Sequence, residues 1–244
     1  MVSETIDPQR QEKAKEYARI RRLLLVVDLS LAAALLLLFI FSGASSSLKE
    51  GITGLTEDDW AIVALYFAAL FTLYSFLTLP LSYYSGFVLP HRYGLSTQTL
   101  RAWLWDQVKG GLLGLVLGTL VMEVIYYLLR AFPNHWWLLT GAFILFFTVV
   151  LSNLTPILIV PLFFKLTPAS DEELVERLTR LAQRAGTQVQ GVFTMDLSSK
   201  TKAANAALMG LGNTRRVVLG DTLYERYTPD EIGAILAHEL GHHV

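Results

Sequence analysis

The sequence predicts a mainly α, polytopic membrane protein that runs on into the start of a soluble α+β domain. Three observations predict it. Hydrophobic residues make up 53% of the chain against 17% charged, far from the balance of a soluble domain. Four apolar stretches reach the roughly 20 residues that a helix needs to cross a bilayer. After Pro168 the character turns polar, with capped amphipathic segments and short alternating runs. A net charge of −1 offers no footing for a nucleic acid partner. The absence of cysteine excludes disulfides, thiolate metal sites and thiol nucleophiles, and leaves the redox compartment open.

Residues 1–22 form a polar tail, helix-competent from Gln9 to Arg22 and suited to lie at the membrane surface. The spans follow at 23–41, 60–88, 108–129 and 136–164. Lys and Arg set their orientation. The tail carries Arg10, Lys13, Lys15, Arg19, Arg21 and Arg22, whereas the first connection has only Lys49. The second connection has Arg92, Arg101 and Lys109, and the third only Arg130. This alternation places the tail, the second connection and everything after Lys165 in the cytoplasm. A basic start and an apolar run followed by Ser42-Gly43-Ala44 also fit a cleaved signal peptide, but the run exceeds the usual length and an uncleaved anchor is favoured.

Within this frame, 42–59 reads as an exposed outer loop rich in Ser, Gly and acids. Asp28 in the first span is either a functional acid or one that snorkels or pairs with Arg21 or Arg22. Glu123 either faces a water-filled interior or pairs with a polar neighbour. Tyr66, Tyr74, Tyr83, Tyr84, Tyr126 and Tyr127 either line such an interior or, the better reading, serve as interfacial belt and packing. The fourth stretch is too long for one straight span, so Asn153, Pro156 and Pro161 mark a kinked exit.

The start of the soluble domain is 169–244. Ser170 and Glu173 read as a capping box for a helix over 171–185 that Gly186 closes. Extended runs at 189–195, 203–209 and 216–219 come next, with 203–219 read as a hairpin around Gly210-Leu211-Gly212-Asn213. Thr228, Pro229 and Glu231 then predict the start of a helix over 229–244, with a core stripe of Ile232, Ile235 and Leu236. On that helix His238 and His242 lie one turn apart on one face, with Glu239 beside the first.

Two imidazoles at this spacing can share one tetrahedral Zn2+, and the adjacent carboxylate can take a proton from a water activated there. Gly241 is poor for a helix interior, so packing or a close approach is its expected reason. A catalytic zinc takes three protein ligands, and only two are visible. His243 points elsewhere, and Glu231 sits two turns below His238, about 10 Å away at 1.5 Å per residue. The third ligand is therefore expected beyond Val244, and the 244-residue chain alone is expected to bind zinc weakly and turn over nothing.

HELGH, preceded by Asn205-Ala206 in a strand and by RRVVLGDTL at 215–223, resembles the type I CAAX prenyl protease family of integral-membrane zinc endopeptidases. HRYGLSTQTLRAWLWDQVK at 91–109 is similar to that family's cytoplasmic loop, and PLFFKLTP at 161–168 to its span exit. The resemblance implies a zincin-like metallopeptidase domain, with His238 and His242 as zinc ligands, Glu239 as general base and Asn205-Ala206 in the substrate-binding strand. It implies a peptide or protein substrate, prenylated or not, taken from the lipid bilayer. Lys202-Ala203-Ala204 replaces the Ser-His-Ser-type approach of eukaryotic relatives, and their extra N-terminal span has no counterpart. The first departure bears on specificity for prenylated CAAX substrates, and the shorter architecture with the overall composition points to a prokaryotic cell-membrane homologue. Two other readings compete: a quality-control protease of the heat-shock type, and a non-catalytic scaffold or transporter fragment with an inert motif.

Overall fold

The structure is a computed structural model and describes residues 8–210, 215–224 and 226–241. Among the described residues, four helices are long and apolar enough to cross a membrane: α1 (Pro8–Phe41), α3 (Asp59–Arg92), α4 (Leu100–Ala131) and α5 (Trp136–Phe163). The first is longer than its apolar run, because the charged tail continues the same helix. Its Arg21 lies over the Tyr17 ring at 5.9 Å, and neither Arg21 nor Arg22 pairs with Asp28 among the described residues. The segment expected as an outer loop instead contains α2 (Ala44–Thr53). Ser, Gly and acids suggested coil, yet Ile52 is buried and Ser45 bonds Tyr66 across 2.7 Å, so tertiary contact overrides weak propensity.

The chain divides into two compact units. In the first, residues up to Gly94 together with 103–137, small residues let helices approach. A Cβ at Gly114 would sit 3.1 Å from Phe71, and one at Gly118 would overlap Phe67. At one end of this α3–α4 pair Arg130 bonds Asp59 at 2.6 Å, and Trp60 stacks on Tyr127. Tyr83 packs against Phe87 and the buried Trp103. Tyr66 and Tyr126 line a cavity of about 350 Å³ together with Met122 and Lys49. The tyrosines therefore divide between packing and cavity. Glu123 Oε2 is buried with no hydrogen-bond partner among the described residues.

The second unit comprises 95–102 and 138 onwards. In α5, a π-helical turn at Thr155–Ile159 follows Asn153 and contains Pro156, and the helix ends where Phe164 turns extended. Next in the chain is a four-stranded sheet in the order β1-β2-β4-β3, with β1 Leu166–Pro168, β2 Val192–Met195, β3 Ala206–Met209 and β4 Arg216–Gly220. β1 pairs antiparallel with β2, β2 parallel with β4, and β3 antiparallel with β4. The hairpin strand begins at Ala206 rather than Ala203, and most of its expected Gly-rich turn, 211–213, lies outside the described residues.

Strand alternation gives the sheet two apolar faces. Val217 and Leu219 point to one, covered by α6 (Glu172–Arg184) and α8 (Pro229–Gly241) through Leu174, Leu178, Ile232, Leu236 and Leu240. Val218 points to the other and packs with Val160, Phe164 and Phe193. Asp171 rather than Ser170 caps α6: its Oδ1 accepts the Leu174 N–H at 3.0 Å, since the cap bonds the amide three residues on. A short helix α7 (Asp221–Tyr224) links β4 towards α8.

Candidate metal and substrate site

The cap of α8 is reciprocal. Thr228 N–H and its hydroxyl donate to the Glu231 carboxylate at 2.8 and 3.0 Å, and Glu231 N–H donates back to Thr228 Oγ1. These bonds, the backbone one first, hold the Glu231 carboxyl below the ordinary carboxylate range. Glu231 thus serves the helix end. Asp230 in the same turn pairs with Arg177 of α6, which fixes α8 against its neighbour.

From that anchor the helix periodicity sorts the side chains. Ile232, Gly233, Leu236 and Leu240 are buried, while Ala234, Ala237, His238 and Gly241 are exposed. Glu239 lies between these faces, half-buried. His238 therefore projects away from the core, where an imidazole can accept a ligand, with Glu239 at its flank. His242 lies outside the described residues, and no cluster of three or more His, Asp or Glu gathers among those described. A Cβ at Gly241 would meet nothing within 4 Å, so no close approach among the described residues explains that glycine. An exposed imidazole beside a half-buried carboxylate fits a zinc-holding helix in the chemistry of its donors.

α8 shares its core with β3: Ala206 is buried in the same cluster as Leu236 and Leu240, while Asn205 beside it is exposed. β3 is the terminal strand of the sheet. The backbone leading into it is pinned carbonyl by carbonyl. Arg226 Nη1 donates to Lys202 O at 2.8 Å, Thr222 Oγ1 to Ala203 O at 2.9 Å, and Gly220 N to Asn205 O at 2.8 Å. A Cβ at Gly220 would lie 3.2 Å from Asn205 O and overlap Leu197, so only glycine lets the two strands close here. Sequence reasoning missed Thr222, Arg226 and Gly220. The one local signal was a glycine closing an apolar strand run, which marks a close backbone approach.

Similarity to known proteins has the same division. The CAAX prenyl protease N-terminal family, described by five membrane helices, matches residues 1–165, and peptidase family M48 matches 168–244. CAAX prenyl protease 1 of Saccharomyces cerevisiae is 34% identical over 180 residues, 72% of this chain and 39% of the yeast protein. The uncharacterized metalloprotease YhfN of Bacillus subtilis is 29% identical over 237 residues, 97% of this chain and 55% of that protein. The crystal structure of S. mikatae Ste24p superposes with a TM-score of 0.85 at 28% identity, over 99% of this chain and 58% of that one. The chain thus spans roughly half the length of these relatives.

Proposed function

The chain belongs to the CAAX prenyl protease branch of peptidase family M48, a family of membrane metalloproteases, and from that premise we propose that it carries metal ligands and the general base of a zinc-dependent endopeptidase centre. His238 and His242 would hold the Zn2+, with a third protein ligand completing its site. When bound, zinc lowers the pKa of a coordinated water and polarises a carbonyl. Glu239 takes the proton from the attacking water and returns it to the amine that leaves as the C–N bond breaks.

The substrate lies extended and adds a strand to β3, with Asn205 and Ala206 at its entry. Backbone pairing reads little sequence, which suits a membrane-protein or C-terminal peptide substrate, prenylated or not. The Lys and Arg alternation supports a site on the cytoplasmic side of the membrane. The single observation that carries the reading is the packing of α8, with His238 outward, onto the terminal strand β3.

The test is cleavage of matched prenylated and unprenylated peptides by the full-length protein in liposomes, with and without chelator. Chelator-sensitive cleavage of either peptide is the expected result, and preference for the prenylated one assigns the substrate class. Cleavage that resists the chelator, or none of either peptide, removes the proposal.

A further inference from the structure

The segment just upstream of the pinned approach to β3 is held from three directions. Residues 95–99, the connection between α3 and α4, lie along it. Ser96 and Thr201 form a single-residue β-bridge, and Thr97 N–H donates to Lys200 O at 3.1 Å. Thr97 Oγ1 donates to Ser198 O at 2.7 Å, and Ser96 Oγ to Lys200 O at 3.2 Å. In return Thr201 Oγ1 and Lys202 N–H donate to Leu95 O at 3.1 and 3.0 Å. From the second direction, the end of α5, the Lys200 ammonium sits 4.3 Å from the Phe164 ring and 5.6 Å from that of Phe163. Asp196 also exchanges backbone and side-chain bonds with Lys165 there. From the third, the Asp221 carboxylate of α7 accepts both the N–H and the hydroxyl of Ser198.

These bonds are unusual in kind. Most polar contacts of a loop are made with its own neighbours or with water. Here one short segment joins residues 101 to 107 positions away. No apolar side chain of 95–99 is among the core residues of the sheet, so packing does not account for the arrangement. The segment runs straight into the backbone of 202–205 and then β3, so any shift in it reaches the strand edge directly.

We propose that Asp196–Lys202 is a positioning hub through which the loop between two membrane helices fixes the edge of β3. Thr97 and Lys200 are then positioning residues for peptide binding. The proposal rests on the peptidase reading above. Strand addition needs the recipient edge already in place, because each bond of the ladder requires donor and acceptor in register. Loosening the hub weakens substrate binding and leaves the chemistry on α8 intact.

The test uses the full-length protein carrying Thr97→Val, which keeps shape and loses the hydroxyl, and Thr97→Ser, which restores it. Thr97→Val is expected to raise KM for an extended peptide on the order of two- to tenfold, with kcat changing less than about twofold. Zinc content is expected to stay as in the wild type. Backbone amide exchange over 203–209 is expected to quicken while that of α6 does not, and Thr97→Ser to restore both readouts. Lys200→Met is expected to show the same pattern through loss of the charge over Phe164. Unchanged exchange at 203–209, an equal rise in α6, lost zinc or failure of Thr97→Ser to rescue each overturns the hub. A wild-type protein that cleaves no peptide defeats the peptidase reading instead, and the exchange comparison alone then decides whether the loop holds β3.

Discussion

α6 and α8 are both 13 residues long, both are capped, and they pack side by side on one face of the sheet. Their buried stripes are equivalent: Leu174, Leu178 and Ala182 on one, Ile232, Leu236 and Leu240 on the other. Both outward faces begin with acids, Glu172 and Glu173 on one and Asp230 and Glu231 on the other, and differ beyond that turn. α6 shows solvent Glu172, Glu173, Glu176, Arg177, Arg180 and Arg184, the dress of a helix that only has to stay dissolved. Beyond its first turn, where Asp230 and Glu231 are exposed in the ion pair and the cap, α8 shows Ala234, Ala237, His238 and Gly241. Past that turn its exposed face is small-residued and uncharged around one imidazole, which leaves room for another molecule to approach. Folding explains what the helices share, and chemistry explains what they do not.

The comparison can be broken at several points, beginning with the largest expected effect. Glu239→Gln in the full-length protein should lower kcat about 10²- to 10⁴-fold while zinc stays bound, measured by single-turnover cleavage beside metal analysis. Leu178→Ala and Leu236→Ala, one on each helix and both fully buried, should each cost about 2–5 kcal/mol by denaturant titration, because the two stripes do the same work. A marked inequality would mean that the helices are not equivalent supports.

Ala237→Arg places a long cation on the open face of α8. It should lower kcat/KM roughly tenfold by obstructing the approach. Stability should change by no more than about 0.5 kcal/mol, as for Gln183→Arg on α6, which should leave cleavage untouched. Thr228→Ala should cost about 1 kcal/mol through loss of the cap.

The smallest effect is a pH dependence. Because the folded Glu231 carboxyl sits below its unfolded value, its contribution is present above the ordinary carboxylate range and is lost as pH falls through the folded pKa. Amide exchange in the first turn of α8 should therefore quicken on acidification. Glu231→Gln should remove that dependence.

The parts legible in the sequence were those with a local signature. Apolar runs near span length gave the four long helices, and Thr228 with Glu231 gave the start of α8, because a capping box spans four residues. The family and the histidine-glutamate helix were readable for the same reason. The approach to β3 was not, since Thr222, Arg226 and Gly220 lie 15 to 24 positions from the carbonyls they fix or approach. The loop at 95–99 looked like one more polar connection, and its partners beyond position 196 leave no periodic trace. α2 was missed because Ser and Gly suggest coil unless a tertiary contact such as Ser45 to Tyr66 selects the helix. Asp171 displaced Ser170 as a cap because neighbouring residues of equal capping power cannot be ranked by pattern alone.

The most direct measurement is the metal content of the purified full-length protein set beside that of His238→Ala. One zinc per chain in the wild type, lost from the variant together with peptide cleavage, is the predicted result. A protein that purifies without zinc and still cleaves, or a variant that keeps its full complement, would contradict the reading of α8 as a metal-holding helix.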